Sequence, residues 1–220
     1  MASHSAGAAH AHAGSNDPQM WSQYHAARPG TLQFALHELK THVVCRMFAQ
    51  RILELSGPVS SALELGCGTA STLERIRRRI GGPCTGVDNC EPAVVDARAQ
   101  YPRLDLQVGD IFNLPYPEKS FDLVYSVGLF EHFAHQDQLR LLEIHARHAR
   151  KAVVMMVPAD SVVFNSIIFF NKRIRGRSGT WADEQVFTLR SLRRYFPGYS
   201  FFGGKDHRFA NMIMWFGWRP

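Results

Sequence analysis

The chain has 220 residues, of which 45% are hydrophobic and 20% charged. This composition is typical of one globular domain with a full core and excludes a disordered chain. The net charge is +6, but residues 1–160 carry 15 basic and 16 acidic side chains, whereas residues 161–220 carry 10 and 3. The excess positive charge therefore lies near the C-terminus, which excludes a chain that is basic throughout and leaves a locally basic site open.

Residues 1–16 are predicted to form a disordered tail, because after Met1 they are mainly Ala, His, Gly and Ser. They contain neither the basic residues nor the apolar run of a secretory signal. No stretch of the chain approaches the roughly 18 uninterrupted apolar residues of a membrane span, so we expect a cytoplasmic protein. The four cysteines lack CxxC spacing, and we expect neither a disulfide framework nor a metal site.

Two helices are predicted within residues 17–60. Asn16-Asp17-Pro18 places a capping residue before a proline, so a short helix is expected from there to His25. A longer helix is expected from Thr31 to Leu55, where apolar residues recur at helical spacing.

From residue 61 onward, short β-type runs alternate with helical segments. The predicted strands span residues 62–65, 84–88, 104–108, 121–127 and 152–157, and the predicted helices between them span 71–80, 91–101 and 136–148. This order is typical of a parallel sheet covered by helices. Helices over 161–175 and 189–196 follow, and then strands over 199–203 and 210–218. Two strands in direct succession predict an antiparallel pair at the sheet edge.

A glycine-rich turn, Glu64-Leu65-Gly66-Cys67-Gly68-Thr69-Ala70, joins the first strand to a helix. Glycine permits a sharp turn and close approach of a ligand, and the helix N-terminus beyond it offers free N–H groups. The dinucleotide fingerprint GxGxxG would need glycine in place of Ser71, and no Gly-Lys-Ser/Thr of a P-loop follows. The turn resembles the first motif of class I S-adenosylmethionine (SAM)-dependent methyltransferases, (D/E)-x-G-x-G-x-G, with Ala70 at the third glycine.

Three later segments resemble the same family in order and spacing. They are Gly86-Val87-Asp88-Asn89, Val108-Gly109-Asp110-Ile111, and a run from Phe121-Asp122 to Glu131-His132. The resemblance covers roughly residues 60–160. It implies an α/β fold: a Rossmann-like, doubly wound seven-stranded sheet, mostly parallel with an antiparallel edge strand, and a helical N-terminal extension. It also implies SAM as cofactor and methyl transfer in the small-molecule branch of the family.

The resemblance places the cofactor contacts at the carboxyl ends of the strands, where open α/β sheets bind their ligands. It assigns Asp88 to the ribose, Asp110 and Ile111 to the adenine, and Glu64 to the methionine end. The other expected cofactor-binding residues are Gly66, Cys67, Gly68, Asn89 and Ser126. The structural alternatives are a carboxylate that holds the turn at Glu64 and caps of a helix or turn at Asp88 and Asp110.

His132 is the candidate general base, which would remove a proton from a substrate hydroxyl or amine. In this branch a histidine at this place often supports the structure instead, and methyl transfer depends largely on alignment. Tyr24, His135 and Trp181 are candidate substrate contacts. Because the family's N-terminal helices often fold over the cofactor, residues 17–60 are expected to form a lid, with plain packing as the alternative.

The expected acceptor is a small molecule. After the fourth strand the chain reads Ser126-Val127-Gly128-Leu129 and not the Asp/Asn-Pro-Pro-aromatic pattern of many nucleic-acid amino-methylating enzymes. Two other functions stay open: a non-catalytic partner protein of the same fold, which the intact acidic and glycine set disfavours, and a methyltransferase acting on nucleic acid through the basic C-terminal part. Neither the acceptor atom nor the oligomeric state is predicted.

Residues 161–188 occupy the place where the family shapes its substrate pocket, as an insertion within the predicted SAM-binding domain of residues 61–220. Apolar residues at roughly helical spacing precede Lys172, Arg173, Arg175 and Arg177. This pattern predicts a hydrophobic pocket or a membrane-facing helix with a basic rim, suited to an amphiphilic or anionic substrate. The alternative is that basic residues simply favour a helix C-terminus.

Overall fold

The computed structural model describes residues 32–175 and 185–220, with the side chains of residues 42–170 and 185–220. Several predictions fall outside the described residues: the tail, the short helix with Tyr24, Trp181, and the side chains of the basic segment 172–177. The first described element is helix α1 (Leu32–Ser56). Within the described part, no helix is long and apolar enough to cross a membrane.

Strands and helices alternate along the described chain as the sequence predicts. The strands are β1 (Ala62–Leu65), β2 (Cys84–Asp88), β3 (Asp105–Val108), β4 (Phe121–Val127), β5 (Ala149–Pro158), β6 (Phe202–Lys205) and β7 (Ile213–Trp218). The helices after α1 are α2 (Ser71–Ile80), α3 (Glu91–Gln100), α4 (His135–His148), α5 (Val162–Arg175) and α6 (Leu189–Tyr195). Short 3-10 turns lie at Phe130–His132 and His207–Phe209.

The strands form one sheet in the order β3-β2-β1-β4-β5-β7-β6. Strands β1 to β5 pair in parallel, and β7 runs antiparallel to both of its neighbours, β5 and β6. The strand order reverses between β1 and β4, which leaves a crevice at the carboxyl ends of these strands. The predicted doubly wound, mostly parallel sheet with an antiparallel pair at one edge is confirmed.

Both faces of the sheet are buried. On one face, Leu141 of α4 and Leu192 of α6 pack against alternate residues of the central strands. On the other face, Ile52 of α1, Ile76 of α2 and Val94 of α3 do the same. Each fully buried aliphatic side chain stabilises the fold by about 1.5–3 kcal/mol. Burial on both faces explains why these strands are nearly continuous apolar runs in the sequence.

The end of α1 is fixed to the sheet by the penultimate residue of the chain. The Arg219 guanidinium donates to the carbonyl oxygens of Ser56 at 2.7 Å and Leu55 at 3.0 Å. The last carbonyls of a helix lack partners within the helix, and a cation there also opposes the negative end of the helix dipole. The side chains of the predicted lid are described from residue 42 onward, and part of this segment packs into the core.

The two C-terminal strands begin later than the sequence predicts. Strand β6 begins at Phe202 and β7 at Ile213. The rings of Tyr199 and Phe201 stack with centroids 5.5 Å apart, so these aromatic residues pack before the strand begins. The carboxylate of Asp206 accepts hydrogen bonds from the Arg208 N–H and from the indole N–H of Trp215, which holds the intervening residues in a compact turn outside the sheet.

Asp122 belongs to the fourth predicted motif but lies at the amino end of β4, opposite the crevice. Its carboxylate accepts from the Ser60 N–H at 2.9 Å, from the Ser60 hydroxyl at 2.8 Å, and from Lys151 Nζ and Arg150 Nε at 3.0 Å each. Burial alone would raise the pKa of Asp122, but the hydrogen bonds from Ser60 and Lys151 bring it well below its usual range. Asp122 therefore connects the loop that precedes β1 with strand β5.

We expect Asp122→Asn to lower the free energy of unfolding by about 2 kcal/mol at pH 7, because the donors of Ser60, Arg150 and Lys151 lose a buried, charged acceptor. A carboxylate with a lowered folded pKa stabilises above its unfolded pKa, so the difference between variant and parent should shrink as the pH falls below about 4. Urea unfolding at several pH values measures this difference in the free energy of unfolding. Glu54→Gln, which removes the exposed pair with Arg51, is the control and should cost less than about 0.5 kcal/mol. Equal losses in both variants would contradict the assignment.

Candidate functional site

A cleft of about 620 Å³ opens at the carboxyl ends of β1 to β4. Its volume lies within the usual range for sites that bind small molecules. The cleft brings together nine residues that the sequence singles out: Glu64, Gly66, Cys67, Gly68, Asp88, Asn89, Asp110, Ile111 and His132. These residues lie at the carboxyl ends of four strands or in the segments that follow them, so their convergence depends on the strand order.

The glycine turn after β1 forms the floor of the cleft. Gly66 and Gly68 have φ angles of 70° and 46°, in the left-handed region that glycine tolerates best. A Cβ atom at Gly66 would lie 2.8 Å from Cδ1 of Leu129. Ala70, at the third glycine of the motif, also has a positive φ of 55°, which costs an L-residue about 1–2 kcal/mol. The turn thus keeps a conformation that leaves the backbone open to a ligand.

Asp88 fixes this turn. Its Oδ2 accepts from the Gly68 N–H at 2.8 Å, and its Oδ1 accepts from the Cys90 N–H at 2.8 Å. Each carboxylate oxygen still has a second lone pair for a further donor. The structural role that the sequence left open as an alternative is therefore present, and it leaves acceptor capacity at the cleft wall.

Asp110, Ile111 and Asn89 complete the wall formed by the β2 and β3 loops. Asp110 is exposed to the cleft, and its Oδ1 also accepts from the Phe112 N–H at 2.9 Å, so it closes a turn as the alternative interpretation predicts. Ile111 is buried and Asn89 is exposed. The wall thus offers a carboxylate beside an apolar side chain.

Cys67 contributes its backbone to the turn, whereas its side chain points into the protein. A Cβ atom at Gly86 would lie 2.8 Å from the Cys67 Sγ, so the thiol packs directly on β2. Burial raises the pKa of Cys67 well above its usual range. The thiol therefore stays protonated and is not a nucleophile at neutral pH.

Glu64 is a buried carboxyl group at the base of the cleft. In the register of β1 and β4 it lies opposite Tyr125, whose hydroxyl donates to Glu64 Oε2 at 2.9 Å. The pKa of Glu64 is raised to about 8: burial is the main cause, the nearby charge of Asp88 adds to it, and the Tyr125 hydrogen bond opposes both. A cation in the cleft would favour the ionised form of Glu64.

His132 lies on the cleft wall in the 3-10 turn after β4, where it is half-buried. Burial lowers the pKa of His132, and a hydrogen bond with the Gly128 backbone opposes the shift. The imidazole is therefore neutral at pH 7, and the neutral form can accept a proton.

Two predicted site residues lie away from the cleft lining. Ser126 is buried in β4, and its hydroxyl has no hydrogen-bond partner among the described residues. His135 is exposed at the start of α4, where its ring stacks on Phe196 with centroids 5.0 Å apart. Neither side chain therefore lines the cleft together with the other predicted site residues.

The sequence interpretation missed two features of the site. One is Tyr125, since nothing local shows which residue of β4 will lie opposite Glu64. The other is the cleft rim, where Arg140 donates to Asp137 at 2.9 Å and its guanidinium lies 4.4 Å from the centroid of the Phe112 ring. The spacing of Asp137 and Arg140 by three residues indicates an ion pair on a helix, but no signal links the pair to Phe112.

Comparison with known proteins shows which families of proteins the chain resembles. Residues 62–152 match the family model described as "Methyltransferase domain". A probable S-adenosylmethionine-dependent methyltransferase of Mycolicibacterium smegmatis is 37% identical over 79 residues, which are 34% of this chain and 29% of that protein. Residues 62–152 are therefore similar to the domain of SAM-dependent methyltransferases. This segment contains every strand of the parallel half of the sheet from β1 to β4 and the first residues of β5.

Other relatives of the methyltransferase domain differ in the substrates that their names state. Norajmaline N-methyltransferase of Rauvolfia serpentina is 30% identical over 76 residues, 32% of this chain and 26% of that protein. Probable tRNA methyltransferase 9B of Bos taurus is 30% identical over 99 residues, 44% of this chain and 21% of that protein. The matched part of the chain thus spans less than a third of the length of these three curated relatives.

A solved structure shows the same fold over nearly the whole chain. Magnesium protoporphyrin IX methyltransferase from Synechocystis PCC 6803, with bound SAH, superposes with a TM-score of 0.66 at 12% identity, covering 91% of this chain and 93% of that one. The likeness in fold therefore extends well beyond residues 62–152.

Glu64→Gln should stabilise the cofactor-free protein increasingly as the pH rises. The unfolded carboxyl group ionises near pH 4.5, whereas the folded one stays protonated up to about pH 8. A raised folded pKa stabilises fully below the unfolded pKa, and that stabilisation is lost as the pH rises through the folded pKa. Glutamine keeps an acceptor for Tyr125 but does not ionise.

Urea unfolding of parent and variant from about pH 5 to about pH 8 tests this linkage. The difference in free energy of unfolding should move steadily in favour of the variant, and Glu118→Gln, at an exposed position, should show no such trend. A Glu64→Gln difference that is independent of pH would contradict the raised pKa.

Proposed function

We propose that the protein transfers a methyl group from SAM to an oxygen, nitrogen or carbon atom of a small-molecule substrate. The observation that carries this proposal is the convergence of Glu64, Asp88 and Asp110 on one cleft, each at or next to the carboxyl end of a different parallel strand. The three carboxyl groups supply the acceptors that the ribose, the adenine amino group and a cationic methionine end require.

The residues of the cleft fit this cofactor. The left-handed glycines give backbone access, and a cleft of about 620 Å³ has room for a nucleoside with an attached amino acid. Asp88 would accept from the ribose hydroxyls, Asp110 and Ile111 would hold the adenine, and Glu64 with the glycine turn would hold the methionine end. When bound, SAM supplies an activated methyl group next to a positive charge. The carboxyl groups of Glu64 and Asp88 stabilise such a charge.

The charges of the described cleft support a small molecule over a nucleic acid. The acidic and basic side chains that line it are those of Glu64, Asp88, Asp110, Asp137 and Arg140. Four of these five are acidic, and the guanidinium is already paired with Asp137, whereas binding to a phosphate backbone needs basic side chains. A gel shift on RNA at low salt tests the alternative that the tRNA methyltransferase relative raises, and a salt-dependent shift would contradict a small-molecule acceptor.

We infer that His132 receives the proton that an acceptor hydroxyl or amine loses. Its imidazole lines the cleft and is neutral at pH 7. Other residues of the cleft would contribute mainly by aligning the acceptor.

Asp88→Ala should weaken SAM binding by about 100-fold, because charged acceptors for two hydroxyl groups are lost. Isothermal titration calorimetry with SAM measures the change, and circular dichroism checks that the variant is folded. The control is Asp96→Ala, which removes an exposed carboxylate from α3 and should leave the affinity unchanged. Unchanged binding in Asp88→Ala would overturn the proposal, whereas binding without any methyl transfer would favour the non-catalytic alternative.

His132→Asn should lower turnover by about 100-fold, which is typical for the loss of a general base. The rate of the parent should fall in acid, once the pH drops through the lowered pKa of the imidazole, and the variant should lose this dependence. SAH release with an acceptor found by screening small molecules measures both. His135→Asn, outside the cleft lining, is the matched control. Unchanged turnover in His132→Asn would show that the histidine is structural.

A further inference from the structure

Helix α5 exposes an unusual amount of apolar surface. The described residues include nine large hydrophobic side chains that are exposed, and five of them lie on α5: Val162, Val163, Ile167, Phe169 and Phe170. Val162 is 84% exposed, Phe169 63% and Phe170 58%. Contiguous apolar patches of this kind on a soluble protein mark a surface that contacts something else.

The packing of α5 explains why these side chains are exposed. Phe164 is buried, and the Ser161 hydroxyl accepts from its N–H at 3.2 Å, which fixes the start of the helix. At 100° per residue, Ile168 lies on the same side as Phe164, while Val162, Phe169 and Phe170 lie on the opposite side. A surface helix normally turns its polar face outward. The outer face of α5 instead carries Val162, Phe169 and Phe170 beside the small polar residues Asn165 and Ser166, and the rest of the described fold leaves these apolar side chains uncovered.

Basic residues follow the apolar part of α5 in the sequence, and α6, which begins near the same end of β5, carries others. Phe187 bridges to Ala159 and donates to the Pro158 carbonyl at 3.0 Å, so α5 and the segment leading to α6 both start beside the end of β5. Helix α6 exposes Arg190 and Arg194. The sequence of α5 continues with Lys172, Arg173 and Arg175, and no acidic residue occurs from 161 to 182.

We propose that α5 docks on an anionic lipid surface, with Phe169 and Phe170 entering the boundary between headgroups and acyl chains. Apolar residues next to basic ones favour this location, because the first bury hydrocarbon and the second contact anionic headgroups. The helix has 14 residues, fewer than the roughly 20 that span a bilayer, so it lies in the interface plane. A second copy of the chain is a poorer occupant, because two basic surfaces would repel each other.

The position of α5 relates this surface to the cleft. Strand β5 is parallel to β4, so its carboxyl end, from which α5 follows, lies at the same end of the sheet as the cleft. A lipid surface bound by α5 would therefore lie at the cleft end of the molecule. The inference does not rest on the proposed methyl transfer, since it concerns binding alone.

Flotation of the full chain with lipid vesicles tests the proposal. The protein should float with vesicles that contain about 30% phosphatidylglycerol in phosphatidylcholine, and much less with phosphatidylcholine alone. The double variant Phe169→Ser/Phe170→Ser should reduce the partition coefficient by about tenfold or more. The matched control is Val43→Ser/Val95→Ser, which changes two exposed valines on α1 and α3 and should not alter partitioning. Equal flotation of the two double variants, or no flotation of the parent, would overturn the proposal.

A second readout does not depend on the stability of the double variant. In Phe170→Trp, brominated lipids should quench the new indole when anionic vesicles are added, because the side chain enters the acyl boundary; no added quenching relative to the parent would overturn the proposal. Analytical ultracentrifugation tests whether a second copy of the chain, and not a lipid surface, covers α5. If the parent were a dimer that Phe169→Ser/Phe170→Ser converts to a monomer, α5 would be an interface between copies and the lipid assignment would be wrong.

Discussion

Backbone N–H groups from two different loops donate to one carboxylate, that of Asp88. The bond from Gly68 fixes the glycine turn after β1, and the bond from Cys90 fixes the start of α3, each at 2.8 Å. The turn is held a second time by Gly66 and Cys67, whose N–H groups donate to the carbonyl oxygen of Val87, one residue before Asp88. Both loops that border the cleft therefore depend on the end of β2. The same carboxylate keeps free lone pairs, so the group that shapes the cleft is also the one proposed to bind the ribose.

The free-energy cost of ionising Glu64 depends on whether a cationic ligand occupies the cleft. A carboxyl group that is buried close to Asp88 is costly to ionise, and the Tyr125 hydroxyl offsets only part of that cost. A cationic ligand would supply the rest, so ligand binding favours the ionisation of a carboxyl group that stays protonated up to about pH 8 in the cofactor-free protein. Strongly shifted carboxyl groups in clefts are typical of functional sites for this reason. Asp122 shows the opposite case, because it is satisfied by donors at the far end of the sheet and contributes to stability.

Much of this arrangement is predictable from local patterns. The strand boundaries of β1, β2 and β4 follow directly from short apolar runs, and the Gly66–Gly68 turn with Asp88 and Asp110 follows from motif spacing. Features that depend on contacts distant in sequence do not. Tyr125 meets Glu64 only through the register of β1 and β4, across 61 residues. Strand β6 begins late because Tyr199 and Phe201 stack on each other, and His135 misses the cleft because its ring stacks on Phe196. The apolar residues of α5 are visible in the sequence, but which of them face outward depends on how Phe164 is buried.

The central claim is that the three carboxyl groups at the strand ends hold one cofactor, each at a different part of it. A crystal structure of the protein grown with SAH tests this most directly. The account predicts that the ribose hydroxyls lie within hydrogen-bond distance of Asp88, the adenine beside Asp110 and Ile111, and the amino acid end beside Glu64 and the glycine turn. A ligand bound elsewhere, or bound in the cleft without contacts to Asp88 and Asp110, would contradict it.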